Sequence, residues 1–361
     1  MKLLYQVPFL IALFMSPIAV AQTDSATTPL KISGYIEAYY SYDFSKPGNH
    51  LKSNFIYSHN RHNEVNINLG FIKAAYEKSN IRANLALMTG TYANANLAAE
   101  SGVIKNIYEA NVGVKISKQK NVWLDAGVFS SHIGFESAVS KDCWNLTRSI
   151  LAENSPYYES GVKISYATDN GKWFLSGLIL NGWQRIQRVD GNNTPAFGHQ
   201  ITFKPTDKIT LNSSSFIGSD TPDSNRLMRL FHNFYGQFQV QEKLGIIIGF
   251  DMGAQQKSKG RSDYNTWYSP VIIAKFMPSE KISWSLRGEY YADKNQVIIS
   301  TGTKNGFKTF GYSLNVDYLI QNNILWRIEA RLLNSKDTIF ESDNTLRHQN
   351  VYLTTSLTAS F

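Results

Sequence analysis

The chain has 361 residues, a formal net charge of +8 and a mean hydropathy of -0.27. Aromatic residues make up 13% of the sequence and charged residues only 18%, below the roughly 25% that is usual in soluble domains. This composition argues against an ordinary soluble enzyme, and a single cysteine, Cys143, excludes an internal disulfide framework.

The N-terminus has the features of a signal peptide. Lys2 supplies a positive charge, residues 7–14 form a short apolar core, and Ala19-Val20-Ala21 is a small-x-small cleavage site. The core is shorter than the roughly 20 residues that a membrane-spanning helix needs. Export also argues against nucleic acid as a partner of this basic chain. We therefore divide the chain into a signal peptide at 1–21, a short periplasmic segment at 22–30 and a β-barrel domain at 31–361.

Alternating apolar and polar residues predict β-strands along the rest of the chain. The pattern is clear in residues 32–40, 65–71, 108–116 and 310–318, where every second residue is apolar. These segments run for about 9–13 residues, close to the 9–11 that a tilted strand needs to cross a bilayer. Strands of soluble proteins are usually nearer 5–6 residues. Strand length therefore favours a transmembrane barrel over a secreted sandwich.

The connections between these strands alternate in length. Short polar turns, such as 77–80 and 168–171, alternate with long loops, such as 43–63 and 130–157. Seven short and eight long connections predict an all-β, antiparallel up-and-down barrel of about 16 strands, with short periplasmic turns and long extracellular loops. Pro270 falls inside a predicted strand, and we expect it at a bulge near the rim.

The final segment has the most regular alternation. Val351, Leu353, Leu357 and Phe361 share one face of it, with polar residues on the other. It resembles the assembly signal of outer-membrane barrels, whose last strand commonly ends in Phe. We therefore expect the barrel-assembly machinery to recognise this strand, and we expect outer-membrane lipid and lipopolysaccharide around the barrel.

Three blocks of sequence indicate a family. They are residues 34–44, residues 126–136 with 147–161, and residues 180–184. In these blocks, and over nearly the whole mature chain, the sequence resembles the OmpL-like family of β-barrel porins. The resemblance implies a pore in the cell outer membrane for small hydrophilic solutes, without indicating a particular one.

If lipid covers the apolar face, the polar face lines the lumen. The predicted pore-lining residues are Glu37, Arg82, Glu109, Asp125, Lys163, Arg229, Asp251, Arg287, Glu289, Asp317, Arg327, Glu329 and Arg331. Arg327, Glu329 and Arg331 share one strand face, and Arg287 and Glu289 lie one hairpin away. They could form a charged ladder that selects solutes. They could equally form cross-strand ion pairs that neutralise one another.

The long loop 130–157 is the best candidate for a constriction, because in similar porins a long loop folds into the barrel. Alternatively, the loop only covers the mouth. Its charged residues, which would lie at the narrowing, are Glu136, Lys141, Asp142, Arg148 and Glu153.

Signs of catalytic chemistry are weak. The sequence contains no Gly-x-Ser-x-Gly, no His-Glu-x-x-His and no phosphate-binding glycine loop. His59 and His62 lie three residues apart, but no cysteine or aspartate cluster joins them. His132 and His232 belong to no recognisable catalytic set. We predict no catalytic residue, no cofactor and no metal site.

Three functions remain open. The leading hypothesis is a diffusion pore with a mild anion preference. The mature chain without Lys2 has 35 basic and 28 acidic residues, a net charge of +7, which is a weak indication of anions. The second is a closed barrel used for adhesion or surface structure, and the third is a barrel hydrolase. A homo-oligomer is suggested only by analogy with other barrels of this size.

Overall fold

A computed structural model describes residues 28–342 and 345–361, and it contains one closed barrel of sixteen antiparallel strands. The predicted fold class and strand number are confirmed. The predicted signal peptide and most of segment 22–30 lie outside the described residues, and the first strand begins at Leu30. The barrel strands are β1 (Leu30–Asp43), β2 (Val65–Lys78), β3 (Ile81–Thr89), β4 (Ile107–Lys115), β5 (Asn121–Ser130), β6 (Tyr158–Ala167), β7 (Trp173–Leu180), β8 (Ala196–Thr206), β9 (Ile209–Gly218), β10 (Arg229–Gln241), β11 (Leu244–Gln256), β12 (Tyr264–Phe276), β13 (Ile282–Asp293), β14 (Phe307–Gln321), β15 (Ile324–Ser335) and β18 (Gln349–Ser360).

The remaining elements lie in the long loops. A hairpin of β16 (Phe340–Ser342) and β17 (Thr345–Arg347) precedes the last strand. The helices are α1 (Thr91–Asn96), α2 (Ile150–Glu153) and the 3-10 turns Gly102–Asn106, Ser140–Asp142 and Asp223–Asn225. Across the described part of the chain, no helix has the length and apolar character needed to cross a membrane.

The first and last strands close the barrel. β1 pairs with β18 from Tyr35, opposite Ser360, to Asp43, opposite Tyr352. Two backbone hydrogen bonds extend the seam, from Gly34 N to Phe361 O at 2.9 Å and from Phe361 N to Gly34 O at 3.1 Å. A Cβ on Gly34 would lie 2.3 Å from Cζ of Phe361, so the phenyl ring rests on the glycine. The ring remains 77% exposed on the barrel exterior.

The two faces of each strand have different environments. On β14, Tyr312 and Leu314 are exposed, whereas Ser313 and Asn315 are buried inside the barrel. The apolar face therefore points outward and the polar face inward, as the alternation predicts. Because every barrel strand pairs on both sides, no strand edge is left for lipid to meet.

One polar cluster interrupts the apolar exterior on β8–β10. His199 and His232 both lie opposite Ser215 in the strand registers. Ser215 Oγ is 2.6 Å from Nδ1 of His199, and Ser213 Oγ is 2.9 Å from Nε2 of His232. The alternating neighbours of these residues, such as Ile217, are exposed apolar side chains. We call these four residues the outward polar cluster.

The position predicted for Pro270 was wrong. Pro270 lies in the middle of β12, opposite Phe250, and the β11–β12 register has no shift there. On the β13 side, pairing is interrupted at Ser269 and Pro270. Proline has no N–H to donate. The hydroxyl of Ser269 donates instead to the carbonyl of Tyr290 at 2.8 Å, which supplies the hydrogen bond without a bulge.

The outward orientation of Leu314, which is 43% exposed near the middle of β14, can be tested by substitution. We expect Leu314→Arg to lower the free energy of unfolding in lipid bilayers by roughly 2–4 kcal/mol, because a cation would face hydrocarbon near the midplane. Denaturant titration in vesicles measures the loss, with Leu314→Ala as the control for side-chain size. Equal losses for the two variants would contradict the orientation.

Candidate functional site: the barrel lumen

The loop between β5 and β6, residues 131–157, folds into the barrel, and we call it the inner loop. His132 Nε2 lies 2.7 Å from Ser215 O on β9, and Leu146 N donates to Asn315 Oδ1 on β14 at 3.0 Å. Ser140 Oγ donates to Glu37 on β1 at 2.5 Å. These strands stand on widely separated parts of the wall. The inner loop therefore crosses the lumen and is more than a cover over the mouth.

Two of its predicted charged residues fix the shape of the loop itself. The buried Arg148 guanidinium donates to the carbonyls of Ser137 at 2.5 Å and Leu146 at 2.6 Å. The Glu136 carboxylate accepts from N and Oγ of Ser149, at 3.0 Å for the backbone bond. Burial raises the pKa of Glu136 above its ordinary value. The side chains of Arg148 and Glu136 thus stabilise the conformation of the inner loop through hydrogen bonds within it.

The other three predicted loop residues have different surroundings. Glu153 is buried, and its carboxylate accepts from the backbone N of Tyr57 at 3.0 Å and of Ser58 at 3.1 Å. Lys141 and Asp142 are exposed at the opposite edge of the loop. The Lys141 ammonium donates to Ser360 Oγ at 3.0 Å, near the short-turn end of β18.

Buried charges on β13–β15 hold the inner loop against the wall. We call them the anchor cluster: Arg287, Glu289, Asp317, Arg327, Glu329 and Arg331. Glu329 accepts from N and Oγ1 of Thr147, at 2.6 and 2.8 Å, and from Arg287 Nη2 at 2.9 Å. Arg331 pairs with Glu289 at 2.5 Å.

A further ion pair of the anchor cluster has the same two roles. Arg327 Nε donates to Asp317 at 2.7 Å, while its other nitrogens donate to the loop carbonyls of Ser140 at 2.5 Å and Cys143 at 3.0 Å. The two alternatives for this ladder were solute selection and mutual neutralisation. The contacts are those of neutralisation, and they also attach the loop.

Glycines on β11 make room for the inner loop. A Cβ on Gly245 would lie 2.6 Å from the indole of Trp144, and a Cβ on Gly249 would lie 2.6 Å from the ring of Phe135. Both glycines are on the inward face, where a larger side chain would meet the loop. The loop therefore packs directly on the backbone of this strand.

The half of the lumen near the long loops is filled by an apolar cluster, which we call the outer plug. Phe55 and Ile56 of the first long loop, residues 44–64, pack with Ile299, and with Phe307 and Phe340. The ring of Phe55 is 4.7 Å from that of Phe307 and 6.3 Å from that of Phe340, measured between centroids. Inward-facing aromatic and aliphatic side chains from the ends of many barrel strands complete the cluster.

Ionisable groups near the outer plug show how poorly it tolerates charge. Burial raises the pKa of Glu153 to about 7 and lowers the pKa of Lys52 to about 7. Burial also lowers the pKa of His59, whose Nε2 lies 3.1 Å from Glu37 Oε1. His62 instead accepts a bond from the backbone N of Asp43 at 2.8 Å. Within residues 28–342 and 345–361, no group of three or more metal-binding side chains is assembled.

Part of the lumen with polar lining residues remains unfilled along the wall of β3–β7, toward the short turns. A cavity of about 380 Å³ lies there, and we call it the side cavity. Four predicted pore-lining residues, Arg82, Glu109, Asp125 and Lys163, border it. Arg82 pairs with Asp125 at 2.5 Å, and Glu109 pairs with Lys73 of β2. Unlike the anchor cluster, the Arg82 side chain is only partly buried.

The last two predicted residues are at the long-loop half of the lumen. Arg229 lies 3.4 Å from Asp220, and its guanidinium carbon is 5.1 Å from the ring of Trp183. Asp251 accepts from Asn233 Nδ2 at 2.5 Å. The predicted residues therefore divide among the anchor cluster, the side cavity, this upper group and Glu37, and they do not form one ring.

Some charged residues of the lumen were missed. Lys73 lies between the outward Ile72 and Ala74 on β2. The alternation of inward and outward residues along the strand could therefore have predicted that Lys73 faces the lumen. Lys52 and His59 lie in a loop with no periodicity, so the sequence contains no comparable signal for their burial.

Comparisons with known proteins agree with this geometry. The model of the family described as "Putative beta-barrel porin-2, OmpL-like" matches residues 29–361. No curated protein shows significant sequence similarity to the chain. Among solved structures, an anion-selective porin from Comamonas acidovorans is similar with a TM-score of 0.61 and 8% identity, covering 92% of this chain and 99% of that one.

Two further solved structures share the fold. The outer membrane channel DcaP of Acinetobacter baumannii has a TM-score of 0.59 and 10% identity, covering 92% of this chain and 97% of that one. A trimer form of OmpT, an outer membrane protein of Vibrio cholerae, has a TM-score of 0.59 and 9% identity, covering 92% and 99%. At these identities the likeness establishes the fold alone.

Removing Glu329 should loosen the inner loop. Glu329→Ala removes the carboxylate that pairs with the buried Arg287 and accepts from Thr147 of the loop, so we expect a loss of about 3–5 kcal/mol in the free energy of unfolding. Limited proteolysis should also cut the inner loop faster. Glu64→Ala, which breaks a half-exposed pair with Arg61, is the control and should have a far smaller effect. An unchanged cleavage rate would show that Glu329 does not hold the loop.

Proposed function

The chain belongs to the OmpL-like family of β-barrel porins, so it is a porin of the cell outer membrane, and we propose that small hydrophilic solutes cross it by passive diffusion along the wall of β3–β7. A single observation carries this route: the side cavity keeps partly exposed polar and charged side chains on the inward face. The opposite wall of the lumen is occupied by the anchor cluster and the inner loop.

The inner loop is the constriction of this pore. It faces the wall of β4 and β5, where Tyr108 and Ser130 border a narrow cavity of about 180 Å³ together with Ala138 and Tyr157 of the loop. This narrow cavity and the side cavity share the same part of the wall. Solute size would be limited where the loop approaches Tyr108, while the buried charges of the anchor cluster act by holding the loop in place.

A mild anion preference follows from the pairing of charges around the side cavity. Arg82 is paired with Asp125, and Glu109 with Lys73. Lys163 has no ion pair or hydrogen bond among the described residues. A cation without a partner in a narrow lumen attracts anions. This local asymmetry supports the preference better than the net charge of the chain, because many lysines of the turns do not face the lumen.

A closed barrel, used for adhesion or surface structure, is the second candidate, and the outer plug favours it. The apolar side chains around Phe55 fill the long-loop half of the lumen, and hydrated ions avoid such a region. The two functions are compatible if the first long loop moves. The pore would then conduct only when residues 44–64 leave the plug.

A hydrolase has little support from the described residues. His132 contacts the carbonyl of Ser215, and the Ser213–His232 pair has no carboxylate beside the imidazole to orient it. Both strands carrying that pair are fully paired, so no free backbone N–H is available to stabilise an oxyanion.

Partners of the barrel follow from its exterior. We propose contacts of the apolar band with lipid and lipopolysaccharide, recognition of β18 and Phe361 by the barrel-assembly machinery, and self-association through the outward polar cluster. Imidazole and hydroxyl groups facing hydrocarbon are unfavourable, and a second copy would cover them. Cross-linking through Ser213→Cys tests self-association, and exclusively monomeric protein would count against it.

Planar-bilayer recording tests the pore directly. We expect folded protein to give discrete conductance steps, and a reversal potential in a potassium chloride gradient that indicates a mild preference for chloride. Lys163→Gln should reduce that preference because the unpaired cation is lost. Folded protein that never conducts would favour the closed barrel, and a preference for potassium would contradict the charge argument.

If the outer plug limits conduction, weakening its apolar packing should increase conduction. Phe55→Ser removes a buried aromatic side chain, a change that typically costs roughly 3–5 kcal/mol in a core. We expect more frequent or larger conductance steps from this variant. Phe44→Ser is the matched control, because Phe44 is 57% exposed and belongs to no part of the plug. Identical recordings from both variants would show that the plug does not limit conduction.

A further inference from the structure

Four residues lie at one level across β3–β6, on the wall of the side cavity. Arg82 is opposite Gly113, Gly113 is opposite Asp125, and Asp125 is opposite Lys163. Asp125 thus has a possible cationic partner on each side: Lys163 on the adjacent strand, and Arg82 two strands away. The structure shows which of them it uses.

The absence of a side chain at Gly113 allows Arg82, rather than Lys163, to pair with Asp125. A Cβ at this position would lie 2.2 Å from Asp125 Oδ1 and 3.1 Å from Arg82 Cγ. Because the glycine has no side chain, Arg82 reaches across β4. Its Nε and Nη2 donate to the two oxygens of Asp125, at 2.7 and 2.5 Å. Both carboxylate oxygens are engaged in this fork, which is the strong geometry for arginine.

The ammonium group of Lys163 consequently has no carboxylate partner among the described residues. Among the described residues no carboxylate lies within ion-pair distance of its ammonium and no atom accepts a hydrogen bond from it. The ammonium lies 4.5 Å from the centroid of the Phe129 ring. The Lys163 side chain is half-buried, so its charge has lost part of its water without gaining an anion. An anionic solute would supply the missing partner.

The surroundings of Lys163 narrow the class of anion. Trp123, Phe129 and Phe174 border the side cavity, and the guanidinium of Arg82 stacks on Trp123 at 4.3 Å. A cavity of about 380 Å³ is within the range that holds small ligands, roughly 300–1,000 Å³. Aromatic walls favour a planar apolar body. The solute therefore combines a ring with an acidic group.

The number of charges on the solute is limited by nearby acids. Asp125 remains beside Lys163, and Glu77 is exposed at the short-turn rim of the cavity. One unpaired cation can neutralise one negative charge, and a second would meet these carboxylates. Doubly charged anions are disfavoured on this ground.

We propose that the side cavity is a binding site for small aromatic monocarboxylates, with the carboxylate on Lys163 and the ring against Phe129 and Trp123. The site deepens the proposed function, since it names a solute class for the same lumen. Because the cavity lies toward the short turns, solutes reach it from the periplasmic end. Binding there concentrates the solute at the wall along which it would diffuse.

Benzoate is the probe, and binding is measured by titration calorimetry on the folded, detergent-solubilised full chain. We expect benzoate to bind about tenfold more tightly than acetate, which lacks the ring, and than benzamide, which lacks the charge. Phthalate, with two carboxylates, should bind more weakly than benzoate. Equal affinities for benzoate and acetate, or for benzoate and benzamide, would overturn the proposal.

Variants separate the named contacts from general charge effects. Lys163→Gln should weaken benzoate binding about tenfold or more. Asp125→Asn should strengthen it, because this change removes a negative charge beside the bound carboxylate and releases Arg82 from its ion pair. Phe129→Leu should lower the benzoate affinity toward that of acetate. Lys275→Gln is the matched control, because Lys275 is a half-buried inward lysine on β12, outside the side cavity. Equal loss in Lys163→Gln and Lys275→Gln would overturn the site.

The result for the site and the result for the pore can be told apart. Chloride conductance without benzoate binding would reject the site and leave the porin function intact. Benzoate binding sensitive to Lys163→Gln, in protein that never conducts, would support the site and reject free diffusion. In conducting protein, benzoate added on the short-turn side should reduce chloride current, and the same addition to Lys163→Gln should not.

Discussion

A charge placed inside a barrel must find a partner, and this requirement determines how the lumen is filled. Side chains on the inward face cannot reach lipid, and water is limited wherever a loop packs against the wall. Arg287, Arg327 and Arg331 meet the requirement with carboxylates of neighbouring strands and with carbonyls of the inner loop. The loop is therefore held in place by the same contacts that neutralise the wall.

The result is a lumen with two unlike sides. On β13–β15 the charged side chains are buried against the inner loop. On β3–β7 the charged side chains remain partly accessible to solvent around the side cavity. The long-loop half is closed by aromatic and aliphatic side chains around Phe55. The inner loop is attached to one side of the wall through the anchor cluster. The first long loop packs through apolar side chains and donates two backbone hydrogen bonds to Glu153, and its His59 and His62 contact β1. Of the two loops, the first has fewer polar attachments to the barrel wall.

The strands could be predicted because each repeats one rule, apolar outward and polar inward, over its whole length. The alternation of apolar and polar residues alone predicts that Asp317, Arg327 and Glu329 lie inside the barrel. The path of the inner loop could not be predicted, since its contacts with Glu37, Asn315 and Glu329 join residues far apart in sequence. Pro270 was misplaced for a related reason: the compensating hydroxyl of Ser269 matters only once the register is known.

The glycine at position 113 has a consequence for how proteins of this kind diverge. A methyl group there would obstruct the contact between Arg82 and Asp125 and so alter which charges are left unpaired in the side cavity. The number of acidic and basic residues would stay the same, and so would their positions in the chain. Differences in solute preference between related barrels can therefore arise with no change in their charged residues, and counting those residues would not reveal them.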